Sequence, residues 1–545
     1  MMIDARSLSP DEVFEAHVCI VGAGPAGITL AREFMNQNFQ VCLLESGGLE
    51  YDPETQSLCE GTVVGDPYPE VQSTRRRQLG GTSHAWEGPS GYGQYGWRCL
   101  PLDEIDFEQR DWLPYSGWPF KKADLVPFYE RAQQVCQIGP FAYNVEDWET
   151  GRAVRLPFKG DRVTTSMSQY GLRDPFTTEY REDLKQASNI TTILYGNVVE
   201  IETDETAQTV TRLRVVCLQG RQFWVSAKLF VLATGGMENA RLLLLSNQRQ
   251  PAGLGNQQDV VGRYFMDRPI LSLKLIPSSP QILQQTDLYD IYSVRGVPVM
   301  ARVKLTEETM RREQLMNNGA QIFPRAWEHQ RQAINSLKSL VTALRQGQVP
   351  AELAKALQVI LQGSDYIAAA AFWAMVRKLP PLRRGDWSYL PFEKQRFSQF
   401  ELFYQIEQAP DPNNRITLSR ERDRLGLNKT EIHWQLNAID VDHIVRIQEI
   451  WAEEFARSGL GELQFARRKE DFQYEKPAMH HHLGATRMHP DPKQGVVDAN
   501  CQVHGIHNLF IAGCSVFPTS GYANPTLTMI ALSLKLADHL KTRLS

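Results

Sequence analysis

Strand-like and helical patterns alternate at the start of the chain. Residues 17–22 form a short apolar run, residues 28–38 follow a helical pattern, and residues 39–44 form a second apolar run that ends at Glu45. A glycine-rich turn, Gly22 to Gly27, joins the first run to the helix. The pattern predicts a β-strand, a turn, a helix and a second β-strand.

A second unit of the same kind lies far downstream. Apolar runs separated by polar turns fill residues 190–235 and predict antiparallel strands. The last run, 229–233, breaks at Thr234-Gly235-Gly236 and is followed by a helical pattern over 239–246. The order strand, glycine turn, helix therefore occurs twice.

The middle of the chain has fewer glycine turns. Strand-like runs lie over 271–305 and 400–418, a helix is predicted over 440–457, and leucines at helical spacing cover 330–384. The 330–384 segment is apolar and ends in basic residues, so it could lie on a membrane surface or cover an apolar channel. We favour the simpler interpretation that it packs on the catalytic domain or on a second subunit.

Composition excludes several classes of function. Apolar residues make up 42% of the 545 residues and charged residues 22%, as in globular proteins, and the length predicts two or three structural units. The net charge of −5 argues against a nucleic-acid partner. The eight cysteines lack CxxC spacing, the N-terminus lacks a signal-peptide pattern, and no apolar run is long enough for a membrane span. We therefore expect a cytoplasmic protein.

The N-terminal unit has the residues that a bound dinucleotide requires. Gly22 permits the tight turn, Gly24 lets the backbone approach a pyrophosphate, and Gly27 lets the helix pack close to the strand. The start of the helix offers free N–H groups and a positive dipole end. Glu45 is placed to accept hydrogen bonds from the adenosine ribose hydroxyls. The alternative is a glycine-rich turn that binds no ligand.

FAD and NAD share this fingerprint, and the second unit favours FAD because an NAD-only enzyme leaves it without a role. The loop 79–83 combines glycines with hydroxyl residues and can wrap a cofactor. Arg75 to Arg77 could face phosphate, but three consecutive arginines are more typical of a solvated face, which we favour. The aromatic segment 111–120 is more typical of core packing than of a substrate wall.

Together these segments resemble the glucose–methanol–choline (GMC) oxidoreductase family. The motifs that carry the resemblance occur in the family's order along nearly the whole chain: Gly22-x-Gly24-x-x-Gly27 with Glu45, Leu79-Gly80-Gly81-Thr82-Ser83, Pro114–Pro119, Ala233–Gly236, Val261-Gly262-Arg263, His481–Met488, Gly495–Asp498, Ser515–Thr519 and Asn524–Thr528. The sugar- and polyol-oxidising branch looks closest, because it tends to carry an asparagine at the position of Asn524.

The resemblance implies an α/β (α+β) fold, with a Rossmann-like FAD-binding domain assembled from discontinuous segments. These segments would be 1–60, 190–280 and 470–545. Residues 61–189 would connect them and cover the FAD. Residues 281–469 would form a substrate-binding domain on an antiparallel sheet, with a helical insertion near 330–384.

The resemblance also implies a catalytic pair. In the family the first histidine of the motif that ends at Arg487-Met488 is catalytic, which selects His481 over His480 and His482, and its partner is Asn524. A histidine can accept the hydroxyl proton as general base. Asn524 would hold the alcohol oxygen while a hydride passes to flavin N5. A metal site at the three histidines is disfavoured, because adjacent side chains diverge and no ligand spacing supports it.

The cofactor contacts implied by these motifs are Gly22, Gly24, Pro25, Ala26, Gly27, Glu45, Gly80, Gly81, Thr82, Ser83, Val198, Ala233, Thr234, Gly235, Gly513, Cys514, Pro525 and Thr526. The N–H groups of Thr526 and Leu527 would stabilise negative charge on the reduced flavin. Some relatives attach FAD through a histidine at the position of Ala85, so we expect non-covalent FAD here.

We therefore expect an FAD-dependent dehydrogenase or oxidase that oxidises a CH–OH group of a sugar, polyol, glycoside or related small alcohol. Its electron acceptor is unknown. The chain departs from the family's pattern at Arg268, Ala485 and His489. The resemblance therefore does not identify the substrate. The alternative is a flavoprotein of this fold with lyase or decarboxylase chemistry on an apolar substrate, which the 330–384 segment favours. A flavin-binding protein without catalysis is disfavoured by the intact His481 and Asn524.

Overall fold

The computed structural model describes residues 1–86, 97–151, 153–171, 174–279, 282, 285–349, 352–377, 397–476, 478 and 480–545. Within these residues the strands form an eight-stranded sheet, a nine-stranded sheet and a three-stranded sheet. The helices pack on the eight-stranded sheet and around the edges of the nine-stranded one.

The strands, numbered in chain order, are β1 (Met2–Asp4), β2 (Val13–Val21), β3 (Val41–Leu44), β4 (Gly61–Gly65), β5 (Trp97–Cys99), β6 (Val163–Gly171), β7 (Ile190–Leu194), β8 (Asn197–Thr203), β9 (Val210–Val216), β10 (Gln222–Leu232), β11 (Ile270–Pro277), β12 (Tyr292–Val294), β13 (Val297–Leu305), β14 (Asn318–Ala326), β15 (Phe397–Ile406), β16 (Arg415–Arg422), β17 (Asn428–Trp434), β18 (Gly461–Gln464), β19 (Tyr474–Lys476) and β20 (Leu509–Ile511). The helices are α1 (Pro25–Glu33), α2 (Pro53–Gln56), α3 (Glu104–Phe107), α4 (Lys122–Val135), α5 (Glu179–Gln186), α6 (Glu238–Leu245), α7 (Glu307–Glu313), α8 (Glu328–Arg345), α9 (Leu353–Gln362), α10 (Ser364–Arg377), α11 (Ala438–Arg457) and α12 (Thr526–Leu544).

The eight-stranded sheet joins distant parts of the chain. Its order is β1-β7-β3-β2-β10-β9-β8, and β20 pairs with β10. The strand β10 is parallel both to β2 and to β20, so the two glycine units and the C-terminal strand lie side by side. Every residue of β3 and β20 is buried, as in parallel strands that are covered on both faces.

The prediction of antiparallel strands throughout 190–235 is wrong for β7. This strand pairs in parallel with β1 and β3. The prediction is also wrong for the end of β10, where residues 229–232 pair in parallel with β2 and 230–232 also with β20. As predicted, β9 is antiparallel to β8 and to the start of β10. Ile190, Ile193 and Leu194 of β7 are buried. An apolar run records burial, but the direction of pairing depends on strands more than one hundred residues away.

The nine-stranded sheet covers the C-terminal turn. Its order is β18-β11-β15-β14-β13-β6-β5, with β12 on β13 and β19 on β11. The ring of Tyr522 lies against Gly319 of β14, where a Cβ atom would be 2.5 Å from the ring, and its hydroxyl donates to Ser166 of β6 at 2.8 Å. The sheet therefore lies directly over the turn that contains Asn524.

Two helices begin at the same end of the eight-stranded sheet. Helices α1 and α12 pack against each other, and Lys541 near the end of α12 donates to Glu33 at the end of α1 at 2.9 Å. On the other side of α12, the Tyr129 hydroxyl of α4 hydrogen-bonds Thr528 Oγ1 at 2.8 Å. These contacts fix the N-terminal ends of α1 and α12 near the C-terminal ends of β2 and β20.

The predicted core packing of the aromatic segment 111–120 holds for Leu113 and Trp118, whereas Tyr115 is exposed. Trp118 is buried and packs on Phe107 and Phe517, with ring centroids 5.1 Å away in each case. Its Nε1–H donates to Thr519 Oγ1 at 2.9 Å. The segment thus supports the chain that leads into the C-terminal turn.

All eight cysteines are free.

The predicted helical segment is confirmed as helical through Arg377, but its packing differs from the prediction. In α9 no residue is buried, and α8 buries only Gln330 and Ala333. Leu344 and Leu361 are 58% and 71% exposed. Within the described residues α8 and α9 pack mainly on each other rather than on the catalytic domain, and a second subunit stays a prediction. The predicted basic end, Lys378, Arg383 and Arg384, lies outside the described residues.

Among the described helices, none is both long enough and apolar enough to cross a membrane.

Candidate active site

A long cavity opens where the two glycine units meet the C-terminal strand. It holds about 1500 Å³ free of protein atoms, part of it open to solvent. The sequence-predicted contacts that line it are Gly22, Gly24, Pro25, Ala26, Glu45, Gly81, Thr82, Val198, Ala233, Thr234, Gly235, Gly513, Cys514, Pro525 and Thr526.

Three predicted contacts shape the cavity without lining it. Gly27 packs α1 on the turn, since a Cβ atom there would lie 1.9 Å from the Gly22 carbonyl oxygen. Gly80 has a left-handed φ of +99°, and Ser83 is buried and donates its hydroxyl to the Gly80 carbonyl at 2.8 Å. These residues hold the backbone of two loops in place, which is a structural role rather than a direct contact.

The start of α1 suits a pyrophosphate. Gly24 is the N-cap, Pro25 is the first helical residue, and no side chain in the described part of the chain caps this end. The first intrahelical bond runs from Ile28 N–H to the Gly24 carbonyl, so the N–H groups of Ala26 and Gly27 stay available. Free N–H groups and the positive end of the helix dipole favour an anion.

Glu45 suits the ribose of an adenosine. Its side chain is buried, and its two carboxylate oxygens accept from Ala23 N–H at 3.0 Å and Gly47 N–H at 2.7 Å. These bonds fix the carboxylate at the end of β3, where it lines the cavity. Each oxygen can accept further hydrogen bonds, and ribose hydroxyls are donors. The residues present therefore fit the dinucleotide that the sequence predicts.

The interpretation of Arg75 to Arg77 as a solvated face is wrong. Arg75 and Arg77 bind the two oxygens of Glu238 at 2.7 and 2.8 Å, and the side chains are largely buried. Burial alone would raise the pKa of the Glu238 carboxyl, but the arginine charges lower it well below its ordinary value. This ion-pair cluster fastens the arginine segment to the start of α6. Glu238 is 163 residues from Arg75 along the chain. The run of arginines alone therefore could not predict these ion pairs.

Sequence reasoning missed Asn239, which joins the second glycine unit to the C-terminal strand. Its Oδ1 accepts from the Thr234 N–H at 2.9 Å and hydroxyl at 2.6 Å. Its Nδ2 donates to the Ala512 carbonyl at 3.3 Å and to Ser515 Oγ at 3.0 Å. The buried Asn239 amide thus links the backbone at Thr234 to the backbone at Ala512.

The structure brings the two predicted catalytic residues together. Asn524 Nδ2 lies 3.4 Å from His481 Nε2. The His481 N–H donates to Asp267 Oδ1 at 3.1 Å, which fixes the backbone of the histidine. Arg98 Nε donates to Asn524 Oδ1 at 2.7 Å, which fixes the amide so that its NH₂ faces the imidazole. His481 also lines the cavity.

Arg268 binds the other side of the histidine. Its Nη2 lies 3.0 Å from His481 Nδ1, and the guanidinium also donates to the carbonyls of Gly521 at 2.7 Å and Ala523 at 2.6 Å. The side chain is fully buried, and this burial lowers the pKa of Arg268 to about 10. Arg268 stays protonated at neutral pH, so it donates to Nδ1 and places a positive charge against the ring.

The surroundings of His481 keep it neutral. Burial, followed by the charges of Arg268 and Arg98, holds the pKa of His481 well below its ordinary value. Both ring nitrogens also face N–H donors, so an imidazolium would oppose a donor at each nitrogen. The shorter contact, from Arg268, makes Nδ1 the acceptor and puts the single ring proton on Nε2.

The neighbouring histidines also line the cavity, but their surroundings differ from those of His481. His482 is buried, its ring stacks on Phe265 with centroids 6.1 Å apart, and burial lowers its pKa well below the ordinary value. His480 has a left-handed φ of 61°. Within the described residues, no group of three or more histidine, cysteine, aspartate or glutamate side chains could hold a metal ion.

The comparisons with known proteins agree with this site. Residues 410–533 match the family model for GMC oxidoreductases. The fructose dehydrogenase large subunit of Gluconobacter japonicus is 23% identical, and the alignment covers 97% of this chain and 98% of that protein. The 2-methyl-1,2-propanediol dehydrogenase of Mycolicibacterium austroafricanum is 20% identical, over 97% and 96%. The chain is similar to GMC oxidoreductases over residues 410–533 and to these two dehydrogenases over nearly its whole length.

A solved structure of formate oxidase shows the same fold. It aligns with a TM-score of 0.54 at 16% identity, over 98% of this chain and 99% of that one. The predicted α/β fold class is confirmed. The comparisons support the prediction of an FAD-dependent oxidoreductase. We expect the pyrophosphate of this FAD to lie at the start of α1 and its adenosine ribose to lie at Glu45.

We expect FAD to be bound without a covalent bond. The position that carries the linking histidine in some GMC relatives is Ala85, and the adjacent His84 turns back on its own loop, with Nε2 2.9 Å from the Leu79 carbonyl. Acid precipitation of the holoenzyme should release all of the yellow colour into the supernatant. A coloured protein pellet would contradict this prediction.

We expect Gly27→Ala to abolish FAD retention. The new Cβ atom would lie 1.9 Å from the Gly22 carbonyl oxygen, so α1 must move away from the turn that binds the pyrophosphate. Overpacking of this kind costs about 1–3 kcal/mol of folding free energy. The flavin-to-protein absorbance ratio and the Tm measure both effects. Gly151→Ala is the matched control, because its Cβ atom meets nothing within 4 Å, and full FAD content in Gly27→Ala would contradict the prediction.

Proposed function

We propose that this GMC oxidoreductase oxidises a CH–OH group of a sugar, polyol, glycoside or related alcohol, with His481 as general base and Asn524 as the residue that orients the alcohol. The convergence of His481 and Asn524 beside the cavity, 3.4 Å apart, carries the proposal. The relatives named as dehydrogenases of fructose and of a methylpropanediol support the substrate class. FAD, when bound, accepts the hydride from the substrate carbon.

Asn524 is oriented for its role by the protein itself. Because Arg98 donates to Oδ1, the NH₂ group of Asn524 is the side that faces His481 and the substrate. An alcohol oxygen in the cavity, to one side of His481 Nε2 and Asn524 Nδ2 and within reach of both, would accept a hydrogen bond from this NH₂ group. The same oxygen would present its own proton to the imidazole.

His481 can act as a base only in the right tautomer. With Arg268 donating to Nδ1, the ring proton is on Nε2, and that nitrogen cannot accept a second proton in the neutral ring. The base mechanism therefore requires that substrate binding loosens the contact between Arg268 and Nδ1, so that the proton moves to Nδ1. Arg268 and Arg98 would then stabilise the negative charge that develops on the alcohol oxygen.

Helix α12 contributes a second electrostatic effect. It begins at Thr526, directly after the turn of Asn524, and Pro525 and Thr526 line the cavity. No side chain of the described residues caps this helix. Its free N–H groups and positive dipole end would stabilise negative charge on a bound flavin ring.

The experiment is anaerobic mixing of the holoenzyme with D-fructose, D-glucitol, 1,2-propanediol and a methyl glucoside. Loss of the oxidised-flavin absorbance with one of these alcohols, and formation of the matching carbonyl product, supports the proposal. The proposal is contradicted if no neutral or anionic hydroxy compound bleaches the flavin.

The alternative of lyase or decarboxylase chemistry on an apolar substrate was favoured by the apolar helical segment. It loses this support, because no residue in the described part of 328–377 lines the cavity.

A further inference from the structure

Two arginines of the nine-stranded sheet meet beside Asn524. Arg98 of β5 donates from Nη2 to Gln405 Oε1 at 3.3 Å, and Arg302 of β13 donates from Nη1 to the same oxygen at 3.0 Å. Gln405 belongs to β15. The sheet that covers the catalytic turn therefore presents positive charge to the substrate side of the proposed catalytic pair.

Two other cations of this layer, Arg110 and Lys304, are paired with carboxylates. Arg110 binds both oxygens of Glu407 at 2.7 Å with both side chains fully buried, and Lys304 binds Asp103 at 2.5 Å. Arg98, in contrast, makes no salt bridge among the described residues. Its partners are the amide oxygens of Asn524 and Gln405, which are neutral.

Arg98 is also the most exposed of the three arginines around the catalytic turn. It is half-buried, whereas Arg268 and Arg302 are fully buried. Nε and Nη2 of Arg98 hold Asn524 and Gln405, so the guanidinium is fixed in place. Within the described residues Nη1 has no hydrogen-bond partner. A fixed, partly desolvated guanidinium without a carboxylate is costly unless a ligand supplies the negative charge.

We propose that the substrate is an anionic alcohol, a hydroxy acid whose carboxylate binds Arg98 while its CH–OH group faces His481 and Asn524. This inference rests on the proposed function and narrows its substrate class. One accessible guanidinium matches one negative charge, which favours a carboxylate over a phosphate dianion. Arg98 Nε lies only 2.7 Å from Asn524 Oδ1, so the oxidised carbon is close to the carboxylate along the substrate chain.

The reaction balances with the groups already assigned. The C–H and O–H bonds of the hydroxy acid break, and a C=O bond forms to give an oxo acid. The hydride goes to FAD and the hydroxyl proton goes to His481. The carboxylate is unchanged and remains bound to Arg98, whose charge also favours loss of the hydroxyl proton.

A purely structural role for Arg98 makes a different prediction. If Arg98 acts only by orienting Asn524, its loss weakens every alcohol equally. If it binds a carboxylate, its loss weakens anionic ligands selectively. Matched pairs that differ only by a carboxylate separate the two roles: D-gluconate with D-glucitol, and lactate with 1,2-propanediol. Propanoate, which has no hydroxyl group, reports binding without turnover.

The experiment uses the holoenzyme, Arg98→Gln, Arg98→Lys and the control Arg311→Gln, a half-exposed surface arginine paired with Glu108 and Glu307. Dissociation constants for propanoate and D-gluconate come from the perturbation of the oxidised-flavin spectrum, and Tm and FAD content verify folding. We expect Arg98→Gln to weaken both carboxylates about 10- to 100-fold, as for loss of a charge-assisted hydrogen bond. Arg98→Lys should lie between wild type and Arg98→Gln, and Arg311→Gln should match wild type.

Two results would overturn the inference. One is an equal loss for D-glucitol and D-gluconate in Arg98→Gln, and the other is a wild-type flavin spectrum that no carboxylate perturbs. The failure of the proposed function looks different. Propanoate binding that depends on Arg98, without bleaching by any hydroxy compound, keeps the anion site and rejects the alcohol oxidation. Bleaching by neutral alcohols without carboxylate binding keeps the alcohol oxidation and rejects the anion site.

Discussion

Replacing His481 by alanine should slow flavin reduction by an alcohol substrate about 10²–10⁴-fold, the range for loss of a general acid or base. The imidazole lies beside the cavity, 3.4 Å from Asn524, and its lowered pKa keeps it neutral, as a general base must be before it accepts a proton. FAD content should remain that of wild type, because the FAD-binding contacts come from the backbone and from Glu45. Anaerobic stopped-flow absorbance measures the rate constant, and the absorbance ratio measures FAD content.

The control for His481→Ala is His507→Ala, an exposed histidine far along the same C-terminal segment. It should reduce its flavin at the wild-type rate. If His481→Ala reduces its flavin as fast as wild type while His507→Ala is normal, the proton leaves the alcohol without His481 and the proposed base is wrong.

The cofactor site could be predicted from the sequence because its determinants are local. Gly22, Gly24 and Gly27 act within one turn, and Glu45 binds Ala23 and Gly47 close by in the chain. Gly27 and Glu45 need only neighbouring backbone, whereas Gly22 also lies against the distant Ala233, whose carbonyl oxygen would be 2.5 Å from a Cβ atom at Gly22. The sequence pattern therefore contains nearly all the information that the structure uses at this end of the cavity.

The electrostatics of the catalytic pair could not be predicted, because they depend on contacts between distant residues. Arg98 reaches Asn524 across 426 positions, and Arg268 reaches His481 across 213. Strand β5 is only three residues long, so Arg98 has no periodic pattern around it. Arg268 was visible in the sequence as a departure from the family, but its position against Nδ1 required the folded chain.

These distant contacts change the chemistry that the turn of Asn524 can support. The His481–Asn524 pair alone indicates alcohol oxidation. With Arg268 on one nitrogen and Arg98 on the amide oxygen, the same pair lies in a positive field that opposes protonation of the imidazole and favours an anionic substrate. Arg268 and Arg98 therefore link the protonation state of His481 to the charge of the substrate.

Arg268→Gln should move the acid limb of the pH dependence of kcat/KM to higher pH. Burial and then the Arg268 charge lower the pKa of His481, so removal of the charge raises this pKa. A general base works only when unprotonated, and activity is lost as the pH falls through the pKa. The variant should therefore lose activity at a less acidic pH than wild type. Flavin reduction rates measured across pH 4–9 under anaerobic conditions test the shift.

Arg268→Lys is the matched variant, because it keeps the charge and loses the fork of donors. It should leave the acid limb near that of wild type. Both variants remove hydrogen bonds to the buried carbonyls of Gly521 and Ala523, each worth about 1–3 kcal/mol when left unsatisfied, so both should lower the Tm. If both variants have a lower Tm but only Arg268→Gln shifts the acid limb of the kcat/KM profile, the shift results from loss of the Arg268 charge. An equal limb in the two variants would show that Arg268 holds the turn without tuning His481.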